Sequence, residues 1–475
     1  MTTAGAPDPT VPGGDRAIDE CLSVRGGRLF VEDCDTQELA RRFGTPIFVV
    51  SEGQLRRNVQ RFVAAFASRW PEGEFRLLPS VKANTVLALW RILAEEGTGA
   101  DTFGPAEFEV VKRAGIEPGS VSVNGCKSAE FIAEAVRAGA RITIDNVAEL
   151  GEVREAAEAA GEIARIRFRV RPDLTAIEEP SDFSPDGAAI GPRSESYRPG
   201  VPLEHLLDVR IEQLGPHVVP VGLHLHFGRG TQSVAVRRRV AAAMVEILVR
   251  LREAWNGWTP KEIDLGGGIP TPRDPVGLAL DRVAARRPPG HLAPEIEEYA
   301  EAYTATLREE CGRAGVPLDG VTLEIEPGRS LFGDVGIHLT RVRRLKRQQQ
   351  PLPQAWIETD TTELNLAGAA WEHCRWTVLA AGRMAEPPEQ RADVTGCSCN
   401  FDQIVGAAEL PAVQPGDVLA FLDTGAYEET TCSNFNAMPR PGTVLVRGAE
   451  AELARRAETV EEVFQRDLMP ARLGG

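Results

Sequence analysis

From Pro46 onward, short apolar runs alternate with stretches of helical periodicity. Ile47-Phe48-Val49-Val50 leads into a polar–apolar helix over Glu52 to Ala67, and Phe75-Arg76-Leu77-Leu78 precedes a helix over Thr85 to Glu96. The rhythm continues through Val121-Ser122-Val123 with a helix from Ser128 to Ala138, Arg141-Ile142-Thr143-Ile144 with Val147 to Ala160, and Ile166 to Val170. Pro220 to His224, a helix from Val234 to Trp255, Glu262 to Leu265 and Val321 to Ile325 complete it. Eight β-like runs alternating with helices predict a parallel (β/α)8 barrel over residues 46–335. A doubly wound open sheet is the competing arrangement, normally shorter and with one Gly-rich switch point.

The pattern changes beyond Ile337. His338 to Val342, Trp356 to Thr359, Trp376 to Leu379, Asp417 to Leu422 and Thr443 to Val446 are short and β-like, with turn chemistry such as Gln414-Pro415-Gly416-Asp417 between them. Residues 336–475 therefore read as an all-β sandwich or barrel domain. Residues 28–45 supply an N-terminal strand or strands joining it, and residues 1–27, which lack apolar periodicity, read as a mobile arm. The stretch Thr175 to Pro202 reads as a long loop inserted after a barrel strand.

At 475 residues the chain exceeds what one hydrophobic core sustains, which agrees with two domains. A formal net charge of -16 argues against a nucleic-acid or anionic-membrane partner, since polyanions would be repelled. With no apolar run long enough to span a bilayer and no signal-peptide pattern after Met1, a cytoplasmic location is expected. The eight cysteines show no Cys-x-x-Cys pair, so neither a disulfide framework nor a zinc site is expected. Cys397 and Cys399 read, from spacing alone, as two buried thiols.

The candidate chemistry lies at strand ends. Lys82, in Ser80-Val81-Lys82-Ala83-Asn84, falls where a barrel places reacting groups, and an amine there can condense with an aldehyde. Glu326, in Glu324-Ile325-Glu326-Pro327-Gly328-Arg329, is an acid that could hold a pyridine nitrogen protonated and so make the ring an electron sink. Its bland alternative is an ion pair with Arg329, whose guanidinium also suits a phosphate or a substrate carboxylate. Gly266-Gly267-Gly268 offers backbone amides to a phosphate, and His224 and His226 share one face of a strand, where one of them could stack on a ring. An amine, an acid, an aromatic-face partner and glycine amides together are what pyridoxal phosphate requires.

In this order the motifs resemble those of the fold-type III pyridoxal phosphate decarboxylases, the group of diaminopimelate, ornithine and arginine decarboxylases, from about Arg28 to Val446. The resemblance implies an alanine-racemase-like barrel followed by a β domain, with Lys82 as the aldehyde-capturing lysine, His226 on the cofactor ring and Glu326 on its nitrogen. It further implies that Gly228, Gly267, Gly268, Gly328, Arg329 and Tyr427 surround the phosphate, while Asp101, Glu107 and Arg169 match other active-site positions. It implies a head-to-tail homodimer, in which Cys399 and the acid after it come from the second subunit and the thiol manages a proton.

The tail Ser433 to Pro441 is most similar to the diaminopimelate branch, yet several positions depart from it. Arg229 and Gly230 stand where the family usually has serine, and Asp402 is one position early. Thr361 to Glu372 replaces the short helix that carries a substrate-reading arginine and tyrosine. Without that arginine a distal carboxylate would enter unpaired, at a cost of several kcal/mol. Diaminopimelate is therefore disfavoured, and Glu372 stands where polyamine-forming relatives keep an acid for a distal amine. The reading is decarboxylation of another amino acid, with Arg329, Glu372 and Asp402 toward substrate; a racemase, epimerase or aldolase on the same fold is the alternative, and a non-catalytic cofactor carrier a third possibility.

Overall fold

The computed structural model describes residues 10, 12–171, 177, 198–228, 232–275, 292–368 and 374–473. The chain divides into two compact units: one runs from Arg56 to Leu331, the other comprises the chain before it and the chain from Phe332 onward.

The first unit is a parallel eight-stranded sheet in the order Phe75–Leu77, Thr322–Ile325, Glu262–Asp264, Val218–His224, Ala164–Arg169, Arg141–Ile144, Val121–Val123, Ala100–Thr102. A parallel bridge between Ser80 and Asp101 joins the two outer strands at one end and all but closes the barrel. That seam lies two residues from Lys82. Helices return between the strands, and those over Ala129–Ala138 and Glu149–Ala160 end in left-handed glycines, Gly139 and Gly161, where a Cβ would be strained. The strands bury both faces, as parallel sheets do.

The barrel interior is not apolar throughout. Arg141, Arg167, Asp264 and Glu324 are each 1% exposed or less. Arg141 Nη2 lies 3.0 Å from Glu324 Oε1, and Arg167 pairs with Glu324 and with Asp264 Oδ2 at 2.9 Å. Buried charges are tolerated only when paired in this way.

The second unit is built on sheets. Its largest orders the strands Gln403–Leu410, Gln390–Thr395, Gln354–Thr359, Gly336–Gln348, Ile47–Ser51, Gly442–Arg447 and Glu450–Arg455, with Val418–Phe421 also pairing to Gly336–Gln348. A small four-stranded sheet of Arg16–Ala17, Leu22–Arg25, Arg28–Val31 and Cys34–Asp35 packs Leu22, Val24, Leu29 and Val31 into the same core as Ile47, Leu339 and Val444.

Three expectations need correction. The run at Ile47 is no barrel strand: it lies antiparallel to Gly336–Gln348 and parallel to Gly442–Arg447. All five residues Ile47–Ser51 are buried, a pattern that a central sheet strand and a barrel strand share. The missing barrel strand is Ala100–Thr102, too short and too polar to stand out by hydropathy. The N-terminal arm is shorter than 1–27, because Arg16–Ala17 and Leu22–Arg25 are paired strands. The loop expected over Thr175 to Pro202 lies mostly outside the described residues. Among the described residues no helix is long and apolar enough to cross a membrane.

Candidate active site

Four strand ends of the barrel bring together one connected set of polar groups. After Phe75–Leu77 the chain makes a single 3-10 turn, Val81–Ala83, that lifts Lys82 out of the buried strand. Its side chain is 41% exposed, while its partner Asp101 is fully buried, with Nζ 2.8 Å from Oδ2. The ammonium also lies 4.6 Å over the Phe103 ring and 3.3 Å from Ser80 Oγ. Asp101 accepts from Ser80 Oγ at 2.8 Å and, through its other oxygen, from Asn124 Nδ2 at 2.6 Å. Burial opposes ionisation of Asp101, but the charge and hydrogen bond of Lys82, aided by Asn124 and Ser80, outweigh it and draw the carboxyl down to about 2.

Asn124 carries the chain of contacts across to Glu326, donating to its Oε1 at 2.8 Å. On the other side Glu326 Oε2 lies 3.2 Å from His224 Nε2, and Arg167 Nη2 stands 4.0 Å from Oε1. Burial, reinforced by Asp101, raises Glu326 to about 7 against the pull of Arg167, Lys82 and Arg169. Asp264 is likewise raised to about 7, by burial and by Glu326. Burial and mutual repulsion thus push both carboxyls of this corner of the barrel upward. His224 stays neutral, its pKa lowered to about 3 by burial despite Asp264, and His226 is held well below its usual value by burial and Arg169.

The glycine loop is shaped by its neighbours. A Cβ on Gly267 would lie 2.2 Å from the Glu326 carbonyl oxygen, and one on Gly266 would lie 2.5 Å from His226 Nδ1. Gly266 donates its N–H to Asp264 Oδ1 at 2.8 Å, and Gly267 donates to His226 Nδ1 at 3.1 Å. The expectation that Gly267 and Gly268 both offer amides to a phosphate is thereby narrowed: the Gly267 amide is engaged in fixing the imidazole, with Nδ1 as acceptor. Gly268, at φ +80°, and Gly228, at φ +119°, adopt backbone conformations open to glycine.

The remaining expected residues are placed as follows. Glu107, in the first turn of Pro105–Ala114, accepts the Phe103 N–H at 2.8 Å, and burial raises its pKa. Arg169 ends its strand buried, opposite His224 in register. Gly328 follows Glu326-Pro327 and accepts the Leu331 N–H at 3.1 Å, and the half-buried Arg329 begins the next turn.

In the second unit, Tyr427 takes a left-handed backbone, φ +73°, and its carbonyl accepts from Thr431 Oγ1 at 2.7 Å. Cys399 is exposed; its backbone N–H donates to Asn436 Oδ1 at 2.9 Å and Asn436 Nδ2 donates to its Sγ at 3.2 Å. Cys397 is exposed as well, so the expected pair of buried thiols is corrected: both sit in a turn rather than a strand. Asp402 is buried and accepts from the Glu363 N–H at 2.6 Å, the Ser398 N–H at 2.6 Å and Thr362 Oγ1 at 3.1 Å, which makes it the hub of that loop. Glu372 and Arg229 lie outside the described residues.

Sequence reasoning missed Ser80, Asn124, Asp264 and Arg167. Arg167 had a signal: Arg165, Arg167 and Arg169 alternate with apolar residues along one strand, which places Arg167 and Arg169 on the same side. Asn124 had none beyond its place after a strand.

The set fits pyridoxal phosphate on its own geometry. A reachable amine stands opposite a buried acid whose pKa burial raises, beside a glycine cradle that a Cβ would fill. Comparison with known proteins agrees. The family described as "Pyridoxal-dependent decarboxylase, pyridoxal binding domain" matches residues 52–333. The chain is 30% identical to the diaminopimelate decarboxylase of Methanothermobacter thermautotrophicus, over 94% of this chain and 97% of that protein. It is 30% identical to that of Archaeoglobus fulgidus, over 94% and 99%. The crystal structure of diaminopimelate decarboxylase from Methanocaldococcus jannaschii in complex with L-lysine superposes with a TM-score of 0.83 at 26% identity, covering 96% of this chain and all of that one. The chain thus belongs to the pyridoxal-dependent decarboxylases of fold type III, on the diaminopimelate decarboxylase branch, and is a lyase acting on amino acids with pyridoxal 5'-phosphate as its cofactor.

Proposed function

We propose that the barrel site removes the α-carboxyl group of an amino acid whose distal end carries no carboxylate. The observation that carries the site assignment is the continuous path Lys82–Asp101–Asn124–Glu326, which places an amine and an acid at opposite ends of one buried hydrogen-bonded chain. When bound, the cofactor supplies an electron sink for the pair left by the departing carboxyl group. Lys82 would hold its aldehyde, and Asp101, paired with the amine at 2.8 Å, keeps it aimed. Glu326 would face the ring nitrogen, its carboxylate flanked by His224 Nε2 at 3.2 Å and Arg167 Nη2 at 4.0 Å. His226, neutral and pinned by the Gly267 amide, presents a ring face. Gly268 and Arg329 would hold the phosphate.

The substrate end of the reading rests on the segment from Thr361 to Gly368. Its described residues contain one ionisable side chain, Glu363, whose pKa is raised by burial and by Asp402. Among the described residues of this segment a distal carboxylate would meet an acid and no cation, whereas an amine or a polar group would be accepted. The relatives named as diaminopimelate decarboxylases favour the other substrate class. We further propose a head-to-tail homodimer in which Cys399 and Tyr427 of one copy serve the barrel of the other, Cys399 delivering the proton to the substrate α-carbon. The supports are the family resemblance, the exposure of Cys399 and the constrained backbone of Tyr427.

The test is carbon dioxide release from a panel of amino acids that includes diaminopimelate, ornithine, lysine and arginine, with cofactor present. Release from a substrate lacking a distal carboxylate is expected. Preference for diaminopimelate would overturn the substrate reading, and no release from any amino acid would overturn the reaction.

A further inference from the structure

Behind the glycine loop lies an arginine to which neither the motifs nor the comparisons assign a role. Arg237 sits in the first turn of the helix Val234–Ala254, whose N-terminus is capped by Ser233. Its side chain is fully buried. A cation one turn into a helix runs against the macrodipole, so its place there needs compensating contacts. They are specific. Nη2 donates to the Gly268 carbonyl at 2.5 Å, and Nη1 donates to the Gly267 carbonyl and to Tyr303 Oη, each at 3.4 Å. The guanidinium also lies 5.8 Å from the Tyr299 ring, and the Tyr299 hydroxyl is anchored on the Gln232 carbonyl at 2.9 Å. Both tyrosines come from the helix Ile296–Ala314.

Peptide planarity turns this clamp into an orientation. Across a trans peptide the carbonyl of one residue and the N–H of the next point in opposite directions. Two carbonyls held on Arg237 therefore turn the amides of Gly268 and Ile269 away from it. The amides of Gly266 and Gly267 are already committed to Asp264 and His226, whereas among the described residues none accepts from Gly268 or Ile269.

We propose that Arg237 is a positioning residue of the phosphate subsite: it clamps the Gly267 and Gly268 carbonyls and so aims the Gly268 and Ile269 amides at the cofactor's phosphate. This rests on the reading that the glycine loop meets that phosphate. Lysine in its place keeps the charge but cannot fork onto two carbonyls.

The experiment compares two probes, pyridoxal phosphate and phosphate-free pyridoxal, titrated by absorbance into cofactor-free full-length wild type, Arg237→Lys and Arg237→Met. Losing amides aligned on an anion is expected to weaken pyridoxal phosphate by roughly ten-fold or more in Arg237→Met, and by a smaller factor in Arg237→Lys, with pyridoxal nearly unchanged. Parallel weakening of both probes, or no weakening of either, overturns the proposal. Should Arg237→Met fail to fold, the ratio of the two affinities in Arg237→Lys decides. Wild type that binds neither probe would sink the cofactor reading itself, a result distinct from any change among the variants.

Discussion

The two parts of the chain hold their functional groups in opposite ways. At the barrel's strand ends Lys82, Asp101, Asn124, Glu326 and His224 are interlocked, each fixed by partners from a different strand. In the sheet unit Cys399 is exposed in a turn and fastened by one side chain, Asn436, while the neighbouring Phe401 is 85% exposed. A group that must keep one protonation state against a bound ring benefits from burial and fixed partners, because low dielectric strengthens each contact. A thiol that moves a proton needs access. Substitutions in the barrel should therefore change what is bound and its charge, and those around Cys399 should change turnover or thiol reactivity with little effect on cofactor affinity.

The largest expected effect is Lys82→Ala, which should lower carbon dioxide release by about 10³-fold or more while the fold persists by circular dichroism. Wild-type-like release would remove Lys82 from the mechanism. Glu326→Gln should cost about 10²-fold in kcat with cofactor still bound, since a neutral amide cannot hold the ring nitrogen cationic. Unchanged kcat would show that the acid opposite Lys82 is only structural.

Arg167→Met tests the interior charges. It leaves Asp264 and Glu324 without their shared guanidinium, and a loss of ~3–5 kcal/mol in denaturant titration is expected for breaking a buried pair. A neutral outcome would mean that the acids simply protonate.

Acid and base titration sharpens the contrast further. Glu326 is raised from 4.5 to about 7 in the folded protein, so across that window the folded state holds a proton the unfolded chain has released. The contribution of Glu326 to the stability of the cofactor-free protein should therefore fall as pH rises from about 4.5 to 7 and flatten above, with Asp264 adding the same sign, while His224 and His226, held neutral by burial, contribute the opposite sign below their ordinary pKa. Thermal melts over pH isolate it as the difference between wild type and Glu326→Gln: wild type should lose stability relative to the variant from about pH 4.5 to 7, and a difference of opposite sign would contradict it.

The smallest effect is expected at the thiol. Asn436→Asp keeps an oxygen for the Cys399 N–H but replaces the donor to Sγ with a negative charge, and alkylation of Cys399 near neutral pH should slow by about three- to ten-fold. Peptide mapping by mass spectrometry reads this directly, and unchanged alkylation would show that Asn436 holds the backbone alone.

By itself the sequence determined the alternation of strand and helix, the all-β tail, and the residue types at strand ends, because periodicity and local turn chemistry are short-range properties. Lys82, Glu326, the glycine triplet and the two histidines were legible because each ends or follows a strand. Which strand belongs to which sheet was decided only in three dimensions: Ile47–Ser51, buried on both faces, has the run of a barrel strand but lies in the other sheet, while Ala100–Thr102 is too short and polar to be seen as the barrel strand it is. Asn124, Arg167, Asp264 and Arg237 took their places only through tertiary structure. Their roles are relations between residues distant in the chain, and a hydrogen bond across a barrel leaves no mark on the spacing of either partner.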